Sequence, residues 1–562
     1  MKSFIFFAAL SVGCALQASA QQPAITYISN SATYLPPGLP DSALAQGSIV
    51  EIFGTNIGPT TAAAAQSFPL LQSLSGTSVT FTVNGTSTQA LMLFTLASQI
   101  AAVLPSSTPV GTGTVTVTYN SQTSNTLPIS VVASNFGMYT LGQNGTGPAV
   151  ITTPSYKVVT LTSPAKPGDT LVLWGTGLGP YSGNEAEPPS ETGLNVNASV
   201  YVGDQSATIR YEGRSSSPGL DQINFVVPAG LSGCYVPVAV VVNGIVSNFG
   251  SVSVSADGST CSDPAGLPST AINEIETNNS LKVGFIELQK IQFSATVPIL
   301  GALNVKQDYG AAYFYDFNDQ ALLASRGLSS ISSFNSCTVL VCSNSDTCIP
   351  DNSALNVPQI SAGSQITITG PQGTAVLPLA ANRVGEFHGP LGSSTVVGSG
   401  NDFLQPGSYT ASNGSGGSVV GGFTADLTIG SPLTWTNQST VSALNAIDRT
   451  QNLTINFSGG TSSDYVAILG SSTSTTGSQD ATVTFVCTAP ASAGTFTIPS
   501  FVLSALPPSG NISLNVDGVQ VSGPGGFLLV GNYPLSNTFT APGLDLGFFA
   551  ETVVSGINIP FQ

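Results

Sequence analysis

GSIVEIFGTNIGP, residues 47–59, returns later in the chain as GDTLVLWGTGLGP, residues 168–180. Aligning the two phrases pairs Val50 with Leu171 and Ile52 with Leu173, so alternate positions are aliphatic in both copies. A period of two marks a strand with one face on a core. The intervening positions read Ile49, Glu51 and Phe53 in one copy and Thr170, Val172 and Trp174 in the other. They agree less well, which places them on a partly exposed face or at a domain contact. Gly54-Thr55-Asn56 and Gly175-Thr176-Gly177 then supply the permissive backbone for a sharp turn leaving the strand.

The copies agree elsewhere. Gln99 and Ile100, ahead of Val103-Leu104-Pro105, answer Gln222 and Ile223, ahead of Val226-Val227-Pro228. Ser124-Asn125 answers Ser247-Asn248. Two homologous units of roughly 110–125 residues have the size of an immunoglobulin-like sandwich. Alternating runs continue downstream in VTFTV (79–83), ITI (366–368) and LTINF (453–457), and Gly, Pro, Asn and Ser interrupt them. The fold class is therefore all-β: tandem immunoglobulin-like β-sandwiches followed by further β-rich domains. A short helix is expected only at Gln320–Arg326. The expected division is a signal peptide at 1–20, sandwiches at 21–133 and 134–258, and a linker at 259–280. A β-rich domain at 281–430 and a sandwich-like domain at 431–562 with C-terminal strands complete it.

The N-terminus, MKSFIFFAALSVGCALQASAQQ, joins Lys2, an apolar run from Phe4 to Leu16 and a small-residue cleavage site at Ala18-Ser19-Ala20. That is a secretory signal, so the protein is expected to be exported: secreted, periplasmic or on the cell surface. Lipidation at Cys14 is disfavoured, because Ser11 stands where a lipobox wants Leu. No later apolar run approaches the roughly 20 residues that span a membrane. Charged residues make up 7% of the chain, with 11 Lys and Arg against 28 Asp and Glu and a net charge of −17. Such a balance offers no footprint for nucleic acid and is repelled by anionic lipid.

Cys234, Cys261, Cys337, Cys342, Cys348 and Cys487 remain after the signal is removed. An even number in an exported chain reads as three disulfides. Fifteen pairings are open. The expected one joins Cys234 to Cys261, which bracket a hairpin-rich segment, closes a small loop with Cys342 and Cys348, and ties distant segments through Cys337 and Cys487. A zinc or redox site in CSNSDTC is disfavoured by the spacing.

The pattern that opens each unit resembles the first strands of IPT/TIG-type immunoglobulin-like domains. GSIVEIFGTNIGP, GDTLVLWGTGLGPYSG, DQINFVVP, GCYVPVAVVVNGIVSN and GSTCSDP together resemble an exported, uncharacterised protein family abundant in acidobacteria. The C-terminal half shares SCTV, ITITGPQG, FLQPGSYT, LTWTN, FVCTAPASAGTFTIPSFVLSALPPSG and GLDLGFF with it. The resemblance implies a secreted, modular β-rich protein and implies no activity.

Few residues point to chemistry. His388, in GEFHGP, is the single histidine, and no nucleophile elbow accompanies it. Glu51, Glu185, Glu187, Glu191 and Glu212 sit among turns, and NEAEPPSE (184–191) reads as a solvated loop. Asp316, Asn318 and Asp319 alternate oxygen ligands but lack the glycine and distal glutamate of a calcium loop. Tyr313, Tyr315 and Phe317 share one strand face; exposed, they would stack on sugar rings, and buried, they are core. Trp174 and Trp435 are expected as buried anchors, and Arg449 as a structural residue of the last domain that could salt-bridge there. No cofactor or metal is expected. The leading reading is a non-catalytic exported scaffold or adhesion-type protein whose partner is a protein or glycan at the cell surface. The alternatives are a carbohydrate-binding protein using the aromatic strand face, and a polysaccharide or ester hydrolase with a carboxylate site.

Overall fold

The computed structural model describes residues 22–190, 192–263, 268–297, 301–318, 335–343, 357–392, 402–460, 464–474, 481–516, 519–533 and 537–562. The signal segment, Glu191, Asp319, Gln320–Arg326 and Cys348 lie outside them. The fold is all-β. Among the described residues, helix is confined to Ser269–Asn278, Gln438–Ser442, Ser500–Ser504 and a 3-10 turn at Ala491–Ala493. None of these helices is long and apolar enough to cross a membrane.

The first phrase forms the strand Ile49–Thr55 and the second the strand Thr170–Thr176. Val50, Ile52, Leu171 and Leu173 are all buried, each at the heart of its own sandwich. The two strands have matching neighbours. Ile52 pairs with Ile100 and Phe53 with Gln99; Leu173 pairs with Ile223 and Trp174 with Gln222. On the other side, Gly54 faces Ile25 and Gly175 faces Met138.

Within the GTN and GTG stretches the turn falls on the last residue, and the first glycine serves another purpose. Gly54 and Gly175 lie inside their strands, where a Cβ would stand 2.2 Å from the Ala24 carbonyl oxygen and 2.3 Å from that of Gly137. They permit close passage of the adjacent strand. The turn itself is made by Asn56 and Gly177, at φ values of 55° and 94°, a region that Asn and Gly enter at least cost.

The Ser-Asn pairs also do one job twice. Ser124 Oγ accepts from the Val117 amide and donates to the Asn125 carbonyl, while Asn125 bonds both the amide and the carbonyl of Ile25. Ser247 and Asn248 repeat this with Val240 and with both backbone groups of Met138. In each sandwich an asparagine side chain thus stands in for a missing strand neighbour and satisfies an edge.

The first sandwich stacks the sheet of Ala24–Asn30, Ile49–Thr55, Gln99–Val103 and Leu91–Thr95 on that of Leu127–Val132, Gly111–Tyr119 and Thr77–Val83. Thr77–Val83 alternates buried and half-buried without a break, as its sequence requires. In the second sandwich the long strand Gln205–Arg214 crosses between layers at a bulge near Ile209 and Tyr211. It joins Thr170–Thr176 and Asp221–Val226 on one side to Ala198–Val202 and Gly233–Val242 on the other.

Residues 281–562 depart from the expected two domains. One long sheet runs in the order Ser336–Ser343, Ala481–Pro490, Tyr465–Ser474, Gly526–Tyr533, Leu546–Asn558, Leu281–Val297, Gly301–Phe317 and Glu386–Pro390. Strands from both sides of the expected boundary at 430/431 share it, with four strands from after the boundary flanked on each side by strands from before it. Two smaller sheets pack on this common layer. Gln365–Gly370, Gly373–Pro378, Gly407–Ser412 and Thr424–Ile429 enclose one core with Ile286, Phe314 and Phe549. Leu453–Ser458 and Thr495–Ile498 help enclose another with Trp435, Phe485 and Phe561. Two cores therefore share one sheet. Leu281–Val297 is a single 17-residue strand, hydrogen-bonded along both edges, antiparallel to Gly301–Phe317 and parallel to Leu546–Asn558.

The expected linker at 259–280 holds the helix Ser269–Asn278. Ala271, Ile272 and Ile275 form its buried stripe against Cys234, Cys261, Tyr315 and Phe317. Cys234 is bonded to Cys261, and Cys337 to Cys487. The latter pair lies on neighbouring strands of the long sheet. Cys342 occupies the same strand as Cys337, and its expected partner Cys348 is outside the described residues.

Replacing Asn125 or Asn248 with Ala should destabilise its own sandwich by about 1–3 kcal/mol, since each change leaves backbone groups of a neighbouring strand unpaired. Urea unfolding of the two variants should give similar losses, which checks that the pairs are equivalent.

Candidate functional site

The two phrases meet at one side chain. Arg214, 1% exposed, ends the strand Gln205–Arg214 and turns its guanidinium into the seam between the sandwiches. Nη1 donates to Asp221 Oδ1 at 2.6 Å and to the Gly47 carbonyl at 3.2 Å; Nη2 donates to the Gly179 carbonyl at 2.9 Å. Gly47 opens the first phrase and Gly179 nearly closes the second. The Tyr181 ring lies 5.9 Å below the guanidinium carbon. Asp221 Oδ2 accepts the Leu178 amide at 2.8 Å, so the carboxylate is held on both oxygens. A Cβ on Gly47 would stand 2.5 Å from Nη2, which leaves room there for glycine alone.

Further bonds close the seam. The Ile49 amide donates to Thr176 Oγ1 at 2.8 Å. Glu185 accepts from both the amide and the hydroxyl of Ser106, at 2.8 and 2.6 Å. The acidic stretch expected as a solvated loop is therefore docked on the first sandwich, because Ser106 offers a carboxylate two donors in one place.

Beside this seam lies an open cleft of about 640 Å³. The first sandwich contributes Ser31, Tyr34, Ile49 and Glu51; the second contributes Tyr139, Gln143, Val150 and Trp174. These include Ile49 and Glu51 of the first phrase and Trp174 of the second, outward positions that the sequence places on a partly exposed face or at a domain contact. Glu51 accepts a hydrogen bond from Gln99 Nε2 at 3.1 Å, and burial pushes its carboxyl up to about 7. The Tyr139 hydroxyl is 2.8 Å from Ser31 Oγ, and burial raises its pKa. Burial and then the charge of Glu51 raise Tyr34 as well. Trp174 is half-buried instead of being a core anchor. Its indole donates to Thr152 Oγ1 at 3.0 Å, and the exposed Tyr156 stacks on it at 6.0 Å. Such an arrangement offers aromatic walls, a carboxyl and short polar side chains at a domain boundary, where ligand sites concentrate.

The other expected site residues fall elsewhere. Tyr315 and Phe317 are 7% and 4% exposed, under the helix Ser269–Asn278 and the Cys234–Cys261 bond, so they are core and offer no sugar platform. Tyr313 remains half-buried. It sits in register with Glu386 on one neighbouring strand and Phe285 on the other, and Phe285 in turn faces Phe548, stacked at 5.1 Å. His388 Nδ1 lies 2.8 Å from the Tyr309 hydroxyl on the adjacent strand. Asp316 accepts from Ser280 Oγ at 2.6 Å. Among the described residues no group of three or more His, Cys, Asp or Glu is placed to hold a metal. Trp435 is buried in the core, as expected. Arg449 Nη1 donates to the Leu506 carbonyl at 2.6 Å. Glu51 is the one acidic side chain among the described residues lining the cleft.

The sequence matches no protein-family model and no curated protein. Among solved structures, the plexin A4 extracellular region is 16% identical with a TM-score of 0.16, covering 40% of this chain and 18% of that one. Domains 5–6 of the S-layer protein SbsC are 11% identical with a TM-score of 0.14, covering 41% and 98%. The Bacteroides ovatus mixed-linkage glucan utilization locus protein SGBP-B, in complex with a mixed-linkage heptasaccharide, is 12% identical with a TM-score of 0.13, covering 91% and 100%. The chain thus spans less than a third of the plexin chains it matches. At these TM-scores neither fold nor function follows from the likeness.

Arg214→Ala strands Asp221 without a counter-charge in the seam and should cost about 3–5 kcal/mol. Adding Asp221→Asn should recover part of the loss. Thermal melts of the single and double variants check both statements.

Proposed function

We propose that the protein is a non-catalytic, exported, modular β-protein, acting as a scaffold or adhesion-type element at the cell surface or in secreted material. The observation that carries this reading is the seam at Arg214. A guanidinium with its charge paired and two carbonyls accepting from it fixes one sandwich against the next, where a flexible tether would let them swing. The second sandwich is in turn bound to the body behind it. Tyr201 stacks on Phe501 at 4.2 Å, and the Cys234–Cys261 region shares a core with Leu281 and Val283. Disulfides support an oxidising compartment. The matched registers and Ser-Asn pairs support reading the first two units as duplicated immunoglobulin-like modules of the IPT/TIG type.

A carbohydrate-binding reading is favoured by one feature, the row Glu386, Tyr313, Phe285 and Phe548 in register across four strands. Half-buried rings with a carboxylate at the end of the row suit a sugar's apolar face and its hydroxyls.

Two experiments test these readings. The purified chain should turn over nothing on a panel of polysaccharides, esters and peptides, and fractionation of its host should place it in the envelope or medium. Turnover abolished by Glu51→Gln or Glu386→Gln, or a cytoplasmic location, overturns the first reading. On a glycan array the second reading expects binding that falls at least tenfold in Tyr313→Ala; binding that this change leaves intact, or none, removes it.

A further inference from the structure

We propose that the cleft between the first two sandwiches binds an organic ammonium group, with Glu51 as its charge partner and Tyr34, Tyr139 and Trp174 as its aromatic wall. This goes beyond the scaffold reading and does not depend on it.

The duplication supplies the first argument. Val172 occupies the position of Glu51 in the second copy, 6% exposed, so the strand pairs and packs without a carboxylate there. Glu51 is thus not demanded by the fold. It is also unfavourable in isolation, because a carboxylate withdrawn from water needs a counter-charge or several donors. It receives a hydrogen bond from the neutral Gln99 amide, and among the described residues no Lys or Arg pairs with it. No Lys, Arg or His is among the described residues lining the cleft. Across the seam the chain does pair a buried carboxylate, Asp221, with Arg214. At Glu51 the cation is left to a ligand.

The walls suit the same ligand. Tyr and Trp faces attract cations, more strongly where water is excluded. Ile49 and Val150 offer apolar surface to the methyl or methylene groups that an ammonium carries. The chain's net charge of −17 raises the local concentration of cations and repels anions. A cleft of about 640 Å³ holds more than the ammonium head, so the head is the anchored end of a longer molecule.

The charge partner also sets a pH signature. Burial holds the Glu51 carboxyl at about 7, so its charged fraction grows as pH rises through neutrality. An ammonium needs that charge and should bind more tightly above pH 7 than below it. Of the groups facing Glu51, Tyr34 and Tyr139 are raised above the ordinary tyrosine value and Gln99 is neutral. Burial lifts Asp221 to about 6 against the pull of Arg214, so the pH dependence is assigned to Glu51 by its loss in Glu51→Gln.

Calorimetric titration of the full chain with choline chloride and with n-butylammonium chloride, at constant ionic strength, tests the proposal. A lysine-like primary ammonium and a choline-like quaternary one are two sources of the same chemistry, and the tighter of the two probes identifies which. Binding is expected at pH 8 and should weaken at least about tenfold at pH 5.5. It should weaken by a similar factor in Glu51→Gln, with a melting curve to confirm folding. The carbon isostere of choline, 3,3-dimethyl-1-butanol, should bind at least tenfold more weakly than choline. No binding of either ammonium, a flat pH profile, or an isostere as tight as choline overturns the proposal. So does a folded Glu51→Gln variant with unchanged affinity. The isostere decides the matter even if that variant fails to fold.

Discussion

Arg214 sits where two homologous sandwiches touch, and their relative placement depends on how its guanidinium is satisfied. An arginine withdrawn from water must spend its donors on fixed acceptors or destabilise the fold. Here the acceptors are Asp221 and the backbone carbonyls of Gly47 and Gly179, one from each copy of the repeated phrase. Backbone carbonyls cannot swing to follow a moving partner as side chains do. The seam therefore has one geometry, and the cleft beside it is a consequence of that geometry. Ile49 and Trp174 face each other across it because the strands that carry them are registered through Arg214 and Thr176.

The two repeated strands agree at one set of positions and differ at the other. Inward residues of the repeated strand kept their aliphatic character, since each closes a core. Outward residues met different surroundings. In the first copy they gained Glu51 and Phe53, with the Phe53 ring stacked near Tyr27 at 5.9 Å; in the second they gained Val172 and Trp174. Of these, Glu51 and Trp174 line the space between the two sandwiches.

Much of this was legible in the sequence. Alternation at 77–83, 424–429 and 453–458 appears as alternating burial, because each of these strands covers one core and leaves its other face toward solvent or a looser contact. The Ser-Asn pairs were visible as matched letters, although their role at a strand edge needs three dimensions. What stayed hidden involves partners distant in sequence. Strand periodicity puts Tyr315 and Phe317 on one face but leaves core and platform both open; the helix Ser269–Asn278 that covers them hid in a polar stretch whose apolar stripe is only Ala271, Ile272 and Ile275. The boundary at 430/431 is reasonable on strand counts, since two cores do exist. It fails because one sheet serves both. The cleft was half-visible: uneven outward positions marked a contact, but nothing local joined Glu51 to Tyr139 or Trp174. Glu185 misled because a carboxylate among prolines looks solvated until its serine is found.

The parallel pairing of Leu281–Val297 with Leu546–Asn558 bears on how the polypeptide reaches its final form. Ile286 and Phe549 are direct neighbours in the sheet, yet most of the C-terminal half of the chain lies between them. The inner edge of Leu281–Val297 stays open until that late strand arrives, and an open edge of such length is a template for pairing with any passing chain. In its hairpin with Gly301–Phe317, Leu281–Val297 is paired on one edge only until the residues of that strand take their place. Contacts of such long sequence separation carry a large loop-closure cost, so the seal on that edge depends on the far end of the chain.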